Sequence, residues 1–262
     1  MNQIGTVGAM QFTAGPPQGE LAPSGGSDPR QRRSVGANIP VGAFIFDMDG
    51  TMVDSMPWHA QSWVVFMQRH DIEMELTEVM RRTTGLNGAE CMRVLFERDL
   101  DEAHAWALIA EKETIYRELF APIFTEVAGF SAFALAAQDQ GLKVGVGTAG
   151  DRHNVEFVMR HLQLPTPPHV VVGGDEGLPG KPDPAIFLEV TRRLGEPAHA
   201  CIVFEDAPFG IEAARRAGMR AVAICTSHTA AALDGPHVIA SARNFDELIE
   251  NHFLERLHVA TA

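Results

Sequence analysis

Cysteine is scarce and poorly spaced for its structural uses. The three residues, Cys91, Cys201 and Cys225, are odd in number and form no CxxC pair, which excludes a disulfide framework and a thiolate metal site. A reducing cytoplasm is the expected setting. No apolar run reaches the roughly 18 residues of a membrane span, and the first residues lack the charged-then-apolar layout of a secretory signal. Neither a membrane partner nor secretion is expected. Basic charge is also short, with 21 Lys+Arg against 34 Asp+Glu and a net charge of −13. Nucleic-acid backbones are held by clustered cations that release counterions, so a nucleic-acid partner is not expected. A small phosphorylated ligand remains compatible, because a few local donors and a bound cation outweigh an average charge.

Residues 1–40 are rich in Gly and Pro and poor in large apolar side chains. Such a segment buries too little surface to offset its ordering entropy, and it is expected to be a disordered leader. From residue 41 the pattern becomes regular. "VGAFIF" (41–46), "KVGVGT" (143–148), "HVVVGG" (169–174), "ACIVFED" (200–206) and "RAVAIC" (220–225) are short apolar runs of buried-strand type. Helical periodicity lies between them, as in Val155, Val158, Met159 and Leu162, or Ile186, Phe187, Val190 and Leu194. Asp183-Pro184 marks a helix start, and Gly195 and Gly218 fall where left-handed caps end helices. Strands alternating with helices predict an α/β fold with a doubly wound parallel sheet.

Residues 56–127 break that alternation and read as helical throughout, with a stripe of Trp63, Phe66, Met67 and His70 and a longer helix in "LDEAHAWALIAEKETIYRELF". A small all-helical domain inserted after the first strand is expected. The core domain then comprises 41–55 and 128–262, and Trp63 and Trp106 are expected in the core of the insertion.

In open parallel sheets, ligands bind beyond the carboxyl ends of the strands. Asp47 and Asp49 follow the first apolar run, Thr148 ends the second, and Glu205 and Asp206 end the fourth. Three strands thus deliver polar groups to one edge. Asp47, Asp49 and Asp206 are hard oxygen ligands that repel one another without a cation, and oxygen-only ligation beside phosphate chemistry favours Mg2+. Otherwise each carboxylate must serve a separate cap or turn. Gly50 permits the sharp turn that aims a backbone carbonyl inward. Thr148, Ala149 and Gly150 before a helix fit either an ordinary βα turn or an anion site. Lys181, fixed between Gly180 and Pro182, is either solvated or a point charge for a phosphate. Asp54 reads as the cap of the following turn or helix.

Together these residues resemble the haloacid dehalogenase superfamily. "DMDGT" is similar to its first motif, "VGTAG" with Thr148 to its second, Lys181 to its third and "FEDAPFGIEAARRAG" with Asp206 to its fourth. "DSMPWH" and the helical insertion resemble the branch of β-phosphoglucomutase and small sugar-phosphate phosphatases. The resemblance implies that Asp47 is a nucleophile forming an aspartyl-phosphate and that Asp49 is the general acid and base. It also implies a helical cap that closes over the site and reads the leaving group, for which loops 80–92 and 150–154 offer several candidate residues. Glu205 is expected to orient metal waters or Lys181, and His59 either touches substrate or assists Asp49, or else packs or caps. Asp at position 49 disfavours carbon–halogen cleavage.

The expected activity is Mg2+-dependent hydrolysis of a small phosphate ester, a sugar phosphate foremost. The rivals are a phosphosugar mutase and a non-catalytic phosphate-binding module. Mutases of the branch carry a lysine before a cap-loop glycine and an arginine three residues beyond it. Aligning that glycine with Gly85 puts Thr84 and Gly88 at those positions, which weakens the mutase reading.

Overall fold

The computed structural model describes residues 40–83 and 88–257. The leader, Pro40 apart, and the Thr84–Gly85 positions of the cap loop lie outside the described residues.

Each of the five apolar runs contains a strand. In β1 (Ala43–Phe46), Phe44 and Phe46 point to one face of the sheet and Ala43 and Ile45 to the other, and all four are buried. A strand covered on both faces has no polar side, which is why these runs are apolar throughout. β1 pairs in parallel with β2 (Lys143–Gly147) and with β4 (Cys201–Glu205). β3 (Val170–Val172) lies outside β2, and β5 (Arg220–Ile224) outside β4. A sixth strand, β6 (Val238–Ala242), completes the parallel order β3-β2-β1-β4-β5-β6. The sequence reading lacks β6 because this edge strand, "VIASA", is only partly covered and carries small residues in place of an apolar run.

Helices α5 (Phe130–Asp139), α6 (Arg152–Leu162) and α9 (Phe245–Glu250) bury one face of the sheet. Aromatic rings fill that side, with the Phe46 ring 4.7 Å from Phe204 and 5.2 Å from Phe130. Helices α7 (Ala185–Leu194) and α8 (Pro208–Arg216) bury the other face. Gly195 and Gly218 hold the expected left-handed conformation.

The insertion holds α1 (Met56–Arg69), α2 (Leu76–Thr83), α3 (Gly88–Phe96) and α4 (Glu102–Phe120), packed around a hydrophobic core of their own that includes Trp63, Phe66, Met92, Leu95 and Leu108. Trp106 corrects the expectation made for it, being 48% exposed. Ala105, Leu108, Lys112 and Ile115 take the inward stripe of α4, and position 106 falls one residue off that stripe. The region is also not helical to its end. After a single 3-10 turn at Ala121–Ile123 the chain extends, and Glu126 pairs antiparallel with Val53. Asp54 N–H donates to the Thr125 carbonyl at 3.0 Å and Val127 N–H to the Met52 carbonyl at 3.0 Å. The chain therefore enters and leaves the insertion through two linkers hydrogen-bonded side by side.

Candidate active site

β1 ends at the carboxyl edge of the sheet, and Asp47 extends its ladder by one bond, donating N–H to the Phe204 carbonyl at 3.0 Å. The turn that follows is closed by Gly50, whose φ of +82° strains any L side chain and whose missing Cβ leaves room for the Asp206 carboxylate. Asp47, Glu205 and Asp206 each present an oxygen within 4.8 Å of the others, and all three are buried. Lys181 Nζ donates to Asp47 Oδ1 at 2.5 Å and to Glu205 Oε1 at 2.8 Å. One ammonium against three carboxylates leaves the cluster electron-rich. Burial pushes the Asp47 carboxyl well above its usual range against the pull of Lys181, and Glu205 and Asp206 add to the rise. Burial and Glu205 push Asp206 up to about 7. Burial works against the Lys181 ammonium, but Asp47 and Glu205 overcome it and hold the group charged.

The loop after β5 steadies this arrangement. Ser227 Oγ donates to Asp206 Oδ2, and Thr226 Oγ1 donates to the Gly50 carbonyl at 2.5 Å. The sequence offers no signal for either hydroxyl, since Thr-Ser after a strand reads as an ordinary turn.

Asp49 sits apart from the cluster in its own setting. Its Oδ1 accepts from Ser55 Oγ at 2.7 Å, His59 Nε2 at 3.2 Å and Tyr116 Oη at 3.3 Å. Its side chain is turned to the insertion and stands outside the group formed by Asp47, Glu205 and Asp206. Ser55, not Asp54, occupies the N-cap of α1, and its hydroxyl makes no capping bond because it goes to Asp49. Asp54 is exposed and does not cap α1, which corrects its reading as the cap of that helix.

His59 stacks on Tyr116, ring centroids 3.7 Å apart, and its Nδ1 lies 3.0 Å from Lys112 Nζ. An ammonium only donates, so Nδ1 accepts and Nε2 carries the proton given to Asp49. Burial alone would raise the Asp49 carboxyl, but His59, Ser55 and Lys112 together hold it below its usual range. Lys112 is 3% exposed and lies 5.1 Å from the Trp63 ring centroid. Sequence reasoning missed it, although a lysine in register with Ala105, Leu108 and Ile115 is a charge at a core position and was the available signal.

Thr148 lies on the neighbouring strand edge. It is buried, its N–H donates to the Val172 carbonyl at 3.1 Å, and its Oγ1 accepts from Gly150 N–H at 2.9 Å. Ala149 beside it is exposed. Asp47, Lys181, Glu205 and Asp206 are thus brought into contact, Asp49 and His59 form a second group, and Thr148 and Ala149 share the edge without a side-chain bond to either.

The family model of the haloacid dehalogenase-like hydrolases matches residues 41–218, and the chain belongs to that family. It is an enzyme of the phosphoric monoester hydrolase type within it. Fructose-1-phosphate phosphatase of Escherichia coli K12 is 31% identical over 182 residues, spanning 68% of this chain and 93% of that protein. Beta-phosphoglucomutase of Bacillus subtilis is 27% identical over 189 residues, spanning 70% of this chain and 82% of that one. The crystal structure of beta-phosphoglucomutase from Clostridium difficile superposes with a TM-score of 0.70 at 22% identity, covering 82% of this chain and 96% of that chain. It shares the fold.

Proposed function

We propose that the protein is a Mg2+-dependent phosphatase of small phosphorylated metabolites, sugar phosphates foremost, working through an aspartyl-phosphate on Asp47. The observation that carries this reading is the division of two neighbouring carboxylates into different environments. Asp47 faces a lysine and an acidic cluster, whereas Asp49 faces a serine, a histidine and a tyrosine. Environments that differ in this way assign different chemical roles to chemically identical groups.

The residues present fit a hard divalent cation, because an all-oxygen donor set with unbalanced negative charge is what Mg2+ takes. Asp47 and Asp206 would hold it, Asp49 would contribute through its main chain alone, and Glu205 is occupied in fixing Lys181. When bound, the ion supplies charge balance and polarises the phosphoryl oxygens.

Asp47 then attacks phosphorus as its ester P–O bond breaks, and the departing oxygen takes a proton from Asp49. A dianionic phosphoryl group beside Asp49 raises its proton affinity for this half. In the second half Asp49 removes a proton from water, whose oxygen attacks phosphorus and releases phosphate and free Asp47. Lys181, the Thr148 hydroxyl and the N–H groups at Ala149 stabilise charge on the transferring oxygens. The helical insertion acts as the cap domain, excluding bulk water and selecting the leaving group.

A phosphosugar mutase is the second reading, favoured by the likeness to beta-phosphoglucomutase. Gly88 stands where that activity would want an arginine. The test is a Mg2+ turnover panel of sugar phosphates that follows free phosphate and isomerised product together, with Asp47→Asn as control. Phosphate release lost in the variant supports the phosphatase. Isomerised product without phosphate release supports the mutase, and saturable binding without turnover supports a binding module.

A further inference from the structure

The polar chain that begins at Asp49 continues through the cap and re-enters the core. Glu113 divides its carboxylate between two partners, with Oε1 accepting from Lys112 Nζ at 2.9 Å and Oε2 from the Asn154 Nδ2 amide at 2.8 Å. Asn154 belongs to α6 of the core and is 2% exposed. Its Oδ1 accepts from Arg117 Nη1 at 2.7 Å. One core amide thus grips two residues a helical turn apart on α4. Its orientation is set by chemistry, since a carboxylate only accepts and a guanidinium only donates. Asn154 N–H in turn donates to Asp151, the N-cap of α6, at 2.8 Å, directly after Thr148, Ala149 and Gly150. Lys112, held on one side by Glu113, meets His59 on the other.

We infer that Asn154 is a positioning residue that clasps α4 to the helix beginning at the phosphate loop, holding His59 and Lys112 in place against Asp49. The inference rests on the phosphatase reading for its kinetic consequence alone. The geometry of the clasp is independent of it.

The experiment compares the wild type with Asn154→Ala, Asn154→Asp and the double variant that combines Asn154→Asp with Glu113→Gln, all in the full chain. Kinetics use the best sugar phosphate and p-nitrophenyl phosphate, and hydrogen exchange is measured over α4 and the two linkers. Each charge-assisted bond is a large effect when removed from a buried site. Asn154→Ala should therefore lower kcat/KM for the sugar phosphate by about 10–100-fold and speed exchange in α4 and the linkers. It should cost p-nitrophenyl phosphate much less, because that leaving group departs without a proton from Asp49.

Asn154→Asp sets two carboxylates against each other and should be worse. Glu113→Gln in that background restores the bond with its polarity reversed, the glutamine amide donating to the carboxylate introduced on α6 while its carbonyl still accepts from Lys112. Activity should then return to within a few-fold of wild type. Unchanged kinetics and exchange in Asn154→Ala, or a double variant no better than Asn154→Asp, would overturn the clasp. If the wild type hydrolyses no ester at all, the phosphatase reading fails, and faster exchange in Asn154→Ala with recovery in the double variant still decides the clasp.

Discussion

Gly210→Ala sets two well-characterised effects against each other. Gly210 lies inside α8, where replacing a glycine by alanine ordinarily stabilises a helix by about 1 kcal/mol. Here the added methyl would land on the Glu205 side chain, overlapping its Cδ and Oε1. Glu205 is 2% exposed and accepts from Lys181 Nζ at 2.8 Å and from Ala207 N–H at 2.7 Å, so moving its carboxylate out of the way of the methyl gives up both bonds. Hydrogen bonds to charged groups contribute roughly 1.5–3 kcal/mol each, so the displacement costs about 3–6 kcal/mol against a helix gain of about 1. The net loss of about 2–5 kcal/mol corresponds to a Tm drop of roughly 4–20 °C at about 2–4 °C per kcal/mol for a domain of this size. Turnover should fall with it, because Lys181 loses one of the two groups that aim it. Thermal unfolding and kcat/KM for a sugar phosphate measure both. A Tm raised by a few degrees with activity intact would refute the packing argument and leave helix propensity as the only term.

Mg2+ at about 100 times its Kd should stabilise the protein by about 2.7 kcal/mol, a rise of roughly 5–10 °C in Tm. Asp206→Asn should abolish that rise without lowering the metal-free Tm, since it relieves repulsion within the cluster. Burial pushes the Cys201 thiol up to about 12, so native protein treated with iodoacetamide at neutral pH should be alkylated at the half-buried Cys225 and not at Cys201 until it is unfolded, as read by mass spectrometry. Burial also holds the His237 imidazole below its ordinary range, although the Ile211 carbonyl favours the protonated form. The folded state therefore prefers neutral His237, and its contribution is complete above about pH 6.5 and lost as the pH falls through the folded value. The Tm decline between pH 7.5 and 5 should be shallower in His237→Gln.

The parts of the molecule legible in the sequence are those in which one residue's neighbours along the chain carry the reason for its type. β1 and the two aspartates after it are such a case, because an apolar run can end in carboxylates only at a sheet edge that offers them solvent, a partner or a metal. Lys181 is another, pinned between a glycine and a proline. The second environment, around Asp49, was legible only in part: the resemblance offered His59 as an aid to Asp49, while Tyr116 and Lys112 come from α4, which only the fold brings across to α1. Ser55 illustrates the difficulty: its type and place are those of a helix cap, and its hydroxyl serves a carboxylate six residues upstream instead. Asn154 reads equally as a first-turn residue of α6, and only the packing of α4 across it reveals two charged partners. β6 was missed for a different reason. An edge strand buried on part of one face needs no apolar run, and its sequence shows none.

The order of the strands also governs how the chain comes together during synthesis. β1 is the centre of the sheet, yet its partners are made long after it, with Ala43 opposite Lys143 on one side and Cys201 on the other. At about 5–20 residues per second the ribosome needs roughly 8–30 s to supply the second neighbour. Until β2 is made "AFIF" has no strand to pair with, and its other edge stays open until β4 follows, so four consecutive apolar residues with unpaired backbone groups are open to wrong partners. The helical insertion is complete well before then, with a core of its own. The strand that carries Asp47 is thus made before every other strand among the described residues and waits for β4 before both its edges are paired, and the site at its end forms only when that neighbour arrives.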